Sequence, residues 1–84
     1  MDRNKSELLL KSLITILGKR IKSEREHRGW DQIEVVIRSG ISQSVIYNLE
    51  AGLSDNINLK SIVGLSVAFE INLETLLSLP LDVK

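Results

Sequence analysis

The sequence is poor in the residues that build cross-links, metal sites and active sites. It has no cysteine, one histidine, one proline and only 4% aromatic residues. Without cysteine, neither a disulfide framework nor a thiolate metal site can form, so stability must come from packing. With one histidine, no glycine-rich phosphate loop and no convergent pair of acids, we expect no enzymatic activity, no metal site and no other cofactor.

Long apolar runs are also missing. The segment LLLKSLITILG is interrupted by Lys11 and Ser12, and at roughly ten residues it is far shorter than a membrane span. No small-residue cleavage site follows it, which argues against an export signal. A chain of 84 residues with 43% hydrophobic and 26% charged content predicts one folded domain. We therefore expect a cytoplasmic protein that has no membrane partner.

Neither sign of charge predominates, because 11 basic residues balance 11 acidic ones. Net neutrality predicts no strong general attraction to nucleic acid or to anionic membranes. The distribution is uneven, however. Residues 1–28 carry eight Lys or Arg against four acids, and residues 29–84 carry three against seven. The chain is therefore polarised along its length, with the basic groups in its first third.

The sequence does contain a repeated signal for helix starts. Four times, an apolar residue precedes a capping residue and a second apolar residue follows five positions after the first, which is the pattern of a hydrophobic staple. The capping residues are Asp31, Ser42, Asn58 and Asn72. Glu34 adds a capping-box arrangement to the first of them.

Helix ends are indicated by Gly29, Gly40 and Gly52, since glycine most readily supplies a left-handed C-terminal residue. No segment alternates as a strand would. These signals predict an all-α protein with helices at 6–28, 31–39, 42–51, 58–69 and 72–78. The first of these could be one helix or two, because Gly18 lies inside it.

The second and third predicted helices are separated only by SGI, at residues 39–41. A tight connection that contains glycine sets two short helices at a steep angle in a helix-turn-helix. Spacing alone leaves two readings open at this point, a helix-turn-helix or an ordinary five-helix domain.

Four segments together resemble the XRE family, the phage-repressor and Cro type of helix-turn-helix. They are LGKRIKSERE, GWDQIEVVIRSGIS, IYNLEAG and NLKSIVGLSVAFEINLETLL, and they extend from about Leu17 to Leu77. The resemblance implies a five-helix, phage-repressor-like domain at residues 17–79 whose third helix enters the major groove of DNA. Residues 1–16 then form an N-terminal extension of the first helix.

The resemblance also implies which residues contact DNA. Residues that read bases fall on the first turns of the third helix, and amides there can pair bidentately with adenine. Helical geometry places 43 with 47 and 44 with 48 on one face. The implied base-reading residues are Gln43, Ser44, Val45, Tyr47 and Asn48.

The resemblance also implies a phosphate-binding residue, Gln32, at the start of the second helix, where exposed N–H groups attract anions. Charge and polarity add basic residues near the first helix and polar residues after the third. The full expected phosphate-binding set is Gln32, Arg20, Lys22, Asn56 and Lys60. Arg25 and Glu50 match a buried structural ion pair that ties the first helix to the third.

Some positions depart from the family pattern. Asp31 and Asp55 place acids where relatives more often have neutral or basic residues, which predicts modest affinity for DNA. Val36 and Ser66 replace alanines, and Glu70 replaces a glycine.

Two sets of apolar residues suggest contact surfaces. Ile33 and Ile37 lie four apart where relatives are polar, so we expect them to pack against the N-terminal extension or in a subunit interface. A second candidate interface comprises Leu73, Leu77, Leu79 and Leu81.

Two functions are consistent with these patterns. The first is a sequence-specific transcriptional regulator, bacterial or phage-encoded, that binds double-stranded DNA as a homodimer on a pseudo-palindrome with recognition helices about 34 Å apart. Relatives of this size include phage repressors, controller proteins of restriction-modification systems and antitoxins. The alternative is a protein-interaction module of the same fold that has a protein partner and binds DNA weakly.

Overall fold

The computed structural model describes residues 3–78, which form five helices around a single core. The helices are α1 Arg3–His27, α2 Gln32–Ser39, α3 Gln43–Ala51, α4 Leu59–Phe69 and α5 Leu73–Leu77. No strand occurs within residues 3–78. The prediction of an all-α, five-helix domain is confirmed, and α1 is one continuous helix through Gly18.

Each helix after α1 begins at the predicted capping residue. In all four, the side-chain oxygen accepts a hydrogen bond from the backbone N–H three residues later, which satisfies one of the unpaired donors of the first turn. The four caps are Asp31, Ser42, Asn58 and Asn72. The capping box is only half formed, because the Glu34 carboxylate instead pairs with Arg38 at 2.8 Å.

Helix ends follow the glycine prediction with one exception. Gly40 and Gly52 end α2 and α3 in the left-handed region, at φ of 75° and 76°. Helix α4 ends in the same conformation at Glu70, with φ of 57°. A side chain with a Cβ is strained there, so Glu70 adopts this conformation at an energetic cost.

The core is apolar throughout and lies between α1 and the four shorter helices. Its largest fully buried side chain is Phe69, which stacks on Trp30 with ring centroids 5.4 Å apart. The guanidinium of Arg38, a residue of α2, lies 4.1 Å from the centroid of the Trp30 ring. The buried residues are Ile14, Leu17, Ile21, Val35, Ile41, Ile46, Leu49, Leu65, Ala68, Phe69 and Leu76.

Two glycines allow helix backbones to approach closely. A Cβ on Gly18 would lie 2.0 Å from the carbonyl oxygen of Leu49, so α1 and α3 touch through backbone at this point. A Cβ on Gly64 would lie 2.8 Å from the carbonyl oxygen of Ser39, at the end of α2. Glycine is therefore required at these helix positions by packing, despite its poor helix propensity.

The first half of α1 extends along the domain and exposes a leucine run, Leu8 to Leu10. It does not cover Ile33 and Ile37, which are 47% and 71% exposed on α2. The expectation that these isoleucines pack against the N-terminal extension is therefore wrong. Within residues 3–78, no helix is both long and apolar enough to span a bilayer.

Candidate nucleic-acid interface

The turn between α2 and α3 is fixed by a short hydrogen-bond network. The Ser39 hydroxyl donates to the carbonyl oxygen of Val35 at 2.6 Å and accepts from the Ile41 N–H at 3.2 Å. Gly40 supplies the left-handed residue, and Ile41 is buried in the core. These contacts fix the orientation of α3 relative to α2. The arrangement is that of a helix-turn-helix.

Helix α3 divides into an inward and an outward face. Ile46 and Leu49 are buried, with at most 1% exposure. The outward side carries Gln43, Ser44 and Tyr47, all exposed, and Asn48, half-buried. We call these four residues the reading face. Its amides and hydroxyls are groups that can donate to and accept from base edges.

Val45 does not belong to this face. Its side chain is half-buried and packs against the core, in the region where Ile41 and the first turn of α4 also lie. The physical reason is helical rotation, since one residue turns the side chain by about 100° from Ser44 toward the interior. Val45 therefore packs against the core, and its expected contact with a base stays a prediction.

The end of α3 is tied to α1 by the expected ion pair. Arg25 donates to Glu50 through Nε at 2.8 Å and through Nη2 at 2.9 Å, a bidentate arrangement. The two side chains are only 14% and 5% exposed. The hydrogen bonds that Arg25 donates to the Glu50 carboxylate raise the pKa of Arg25 above its ordinary value, against the lowering effect of burial. Arg25 is therefore charged throughout the neutral range and anchors the C-terminal end of α3.

Gln32 joins this network from the first residue of α2. Its side-chain Nε2 donates to Glu50 Oε1 at 3.1 Å, which orients the amide. A shallow depression at this point is lined by Gln32 together with Lys22 of α1 and Tyr47 of α3. The Gln32 amide, an exposed lysine and part of the reading face therefore lie together at one edge of the domain.

Arg20 makes contacts inside the domain that the sequence patterns did not predict. Its Nη1 donates to the carbonyl oxygens of Thr75, Leu76 and Ser78, at 3.1, 2.8 and 2.8 Å. A cation here satisfies carbonyls that a helix C-terminus leaves unpaired. In the structure, Arg20 therefore caps α5, and its expected contact with phosphate stays a prediction.

Arg28 acts in the same way on α4. Its Nη2 donates to the carbonyl oxygen of Phe69 at 2.9 Å, and its Nη1 contacts Glu24. Two arginines of the basic first third therefore hold helix ends inside the domain, which the charge pattern alone did not indicate. The exposed lysines are left as the groups available to a polyanion.

The remaining predicted phosphate ligands lie around the start of α4. Lys60 is exposed and borders a depression that also includes the caps of α3 and α4, Ser42 and Asn58. Asn56 is exposed, and its Oδ1 accepts from the Ile57 N–H at 2.8 Å, which leaves the amide nitrogen for an outside acceptor. Asp31 and Asp55 are exposed as well and oppose phosphate by charge.

Sequence patterns missed three features of this region. The Ser39 hydroxyl that fixes the turn gave no signal beyond its place before Gly40. The packing role of Gly18 was missed, although its position inside a helix was a signal for it. A row of exposed apolar residues on α4 had a readable signal in its i, i+4, i+8 spacing. That row is Leu59, Val63 and Val67, with exposures of 70%, 43% and 66%.

Comparison with known families agrees with this geometry. A helix-turn-helix family model matches residues 21–76, a span that begins within α1 and ends in α5. The chain belongs to this family, of the XRE type, and is a DNA-binding transcriptional regulator. Comparisons with curated proteins and with solved structures give no significant match. The first half of α1 lies outside the matched span.

Proposed function

We propose that the protein is a sequence-specific regulator that binds a pseudo-palindromic operator as a homodimer. The observation that carries the proposal is the reading face of α3. Its four polar side chains are turned outward by a helix whose opposite side is buried in the core. Such a regulator would act in the cytoplasm of a bacterium, whether the host or a phage encodes it.

The chemistry of each side chain indicates which part of the DNA it would contact. Gln43 and Asn48 carry amides that match the donor and acceptor pattern of adenine, and each such pair contributes about 1–3 kcal/mol of discrimination. Tyr47 and Ser44 have hydroxyls for a base edge or a phosphate. Phosphate contacts come from Gln32, Lys22, Asn56 and Lys60. The first two line a depression together with Tyr47 of the reading face, and Lys60 borders one that includes Ser42, the cap of α3.

Dimerisation is supported by the apolar row on α4. Leu59, Val63 and Val67 lie one turn apart on the side of α4 that is opposite to buried Leu65 and Phe69. Exposed apolar rows of this kind mark protein contact surfaces. Two copies also increase affinity, which matters because a neutral chain with acids near its DNA-binding edge gains little from general electrostatics.

Salt dependence of DNA binding tests this function. The full chain is titrated with its own promoter DNA and with a scrambled duplex of equal length, over a series of salt concentrations. We expect tighter binding to promoter DNA and a linear fall of log K with log salt, because each phosphate contact releases counterions. Equal, salt-insensitive binding to both duplexes would contradict the proposal.

A second function is favoured by one observation, the exposed isoleucine pair on α2. Ile33 and Ile37 create an apolar patch beside the helix-turn-helix without contacting the rest of the chain's core. In this alternative the domain keeps its fold and acts through a protein partner, as an antitoxin or anti-repressor would. Absence of any shift of promoter DNA, even at low salt, would favour the alternative.

A further inference from the structure

The exposed side of α4 carries four residues with the spacing of a helix-pairing stripe. They lie three, four and three positions apart, which is the spacing by which two helices pack side by side. All four are exposed, and we call them the α4 stripe: Lys60, Val63, Val67 and Glu70. The stripe has two valines in its middle, a cation in the first turn of α4 and an anion at the residue that ends the helix.

The two charges at the ends of the α4 stripe are not used inside the domain. Lys60 and Glu70 take no part in the ion pairs formed within residues 3–78. They cannot pair with each other, since ten residues of helix separate them by about 15 Å. Glu70 also holds its left-handed φ of 57° at an energetic cost that glycine would avoid. A strained residue whose carboxylate makes no ion pair in its own domain points to a role for that carboxylate outside it.

We propose that the α4 stripe binds the same stripe of a second copy of the chain, with the two α4 helices antiparallel. A twofold axis level with Leu65, midway along the stripe, sets Lys60 of each copy opposite the partner's Glu70. The same axis sets Val63 opposite the partner's Val67. In a contact of this symmetry each pair occurs twice, so two ion pairs flank a core of four valines.

The charges select this arrangement over the other ways of pairing α4. A parallel pair would set Lys60 against the partner's Lys60 and Glu70 against the partner's Glu70, and like charges opposed across a contact are unfavourable. An antiparallel pair centred on Val63 would cover the valines but leave both charges without an opposite charge. The other interface predicted from the sequence includes Leu79 and Leu81, which lie outside the described residues.

This inference rests on the proposed homodimer and specifies its contact surface. The α4 stripe and the reading face lie on different helices, so the contact does not use the side chains of α3 that face DNA. Lys60 also keeps a donor for phosphate, because an ammonium group has three N–H donors and a pair with one carboxylate need not use them all.

Cysteine cross-linking tests the register, because the chain has no native cysteine. Full-length Val63→Cys and Val67→Cys proteins, one of them with a mass tag, are oxidised alone and as an equimolar mixture. We expect the mixture to form the mixed disulfide-linked dimer in several-fold excess over either protein alone. In the proposed register, two copies of residue 63 are displaced by about 6 Å along the helices, farther apart than the Cβ atoms of a disulfide. A cross-linked dimer from Val63→Cys alone, at the yield of the mixture, would overturn the register.

Charge reversal tests the ion pairs by sedimentation equilibrium of the full chain without DNA. The variants are Lys60→Glu, Glu70→Lys and the two combined, and Lys19→Glu, at an exposed position of α1, is the control for net charge. We expect each single reversal on α4 to raise the dimer Kd about tenfold, because two attractions per dimer become two repulsions. The combined variant should return to within about threefold of the parent, since its charges are opposite again.

Three results would overturn the proposal: a parent that is monomeric at every concentration, equal weakening by Lys19→Glu, or a combined variant as weak as the single reversals. Because DNA is absent from this assay, these outcomes are independent of operator binding. Failure to bind promoter DNA would instead count against the proposed function and leave the dimer contact standing.

Discussion

Replacing Gly18 with alanine separates helix propensity from packing, because the two predict opposite signs. Gly18 lies in the middle of α1, where glycine costs about 1 kcal/mol relative to alanine. On propensity alone, Gly18→Ala should stabilise the protein. The new Cβ would lie 2.0 Å from the carbonyl oxygen and 2.9 Å from the carbonyl carbon of Leu49. Both are backbone atoms of α3, so no rotamer change relieves the clash.

The magnitude follows from the shift that the clash demands. Ordinary contact would require the two helices to separate by more than about 1 Å, and a close-packed core resists displacements of this size. Overpacking costs about 1–3 kcal/mol and occasionally more. Since the clash is with backbone, we take about 3 kcal/mol, offset by about 1 kcal/mol of propensity. The expected net loss is about 2 kcal/mol, or about 8–16 °C in Tm.

Urea and thermal unfolding, followed by circular dichroism, measure this loss. The matched control is Ser12→Ala, a substitution to alanine at an exposed position of the same helix, which should change stability by less than about 0.5 kcal/mol. A Gly18→Ala protein as stable as the parent, or more stable, would refute the close contact between α1 and α3.

Three other substitutions test single contacts. Glu70→Gly should raise the free energy of unfolding by about 1 kcal/mol, because glycine relieves the strain of the left-handed φ of 57°. Glu70→Ala keeps a Cβ and should give no such gain. Equal effects of the two substitutions in urea unfolding would argue against strain at this residue. Glu50→Ala should cost about 3–5 kcal/mol because it strands the Arg25 charge, which is 14% exposed; a loss below 1 kcal/mol on the same assay would mean that the pair is effectively solvated. Arg20→Gln should lower the free energy of unfolding by about 1–2 kcal/mol, because the α5 carbonyls lose their donor, and should leave the salt dependence of DNA binding unchanged. Lys22→Gln should reduce the slope of log K against log salt by about one. The reverse pattern would favour Arg20 as a phosphate ligand.

Local signals in the sequence were sufficient for the helices. A capping side chain and the backbone N–H that donates to it are three residues apart, so Asp31, Ser42 and the two asparagines could be recognised without tertiary information. Glu70 escaped the same reasoning, because its left-handed conformation is imposed by the connection between α4 and α5 and not by its own preference.

The DNA-binding edge was harder to predict because several residues there depend on distant partners. The resemblance placed Gln43 and Asn48 on the outer side of α3, where the structure also has them. Arg20 was assigned by charge alone, and its acceptors lie 55 to 58 residues away. Val45 was assigned by its place in the motif, but the core decides its direction. Contacts between remote elements cannot be read from spacing, which describes only one element at a time.

Selection of bound DNA from a random pool tests the reading face most directly. The parent protein is compared with Gln43→Ala, and with Gln32→Ala as a matched control, because the same change then falls on the amide proposed to read bases and on the amide proposed to contact phosphate. We expect Gln43→Ala to lose a preference for one base in each half-site, with about 1–3 kcal/mol less discrimination there. Gln32→Ala should weaken binding to all sequences while the preferred site remains unchanged. An unaltered base preference in Gln43→Ala would contradict the assignment of α3 as the helix that reads DNA.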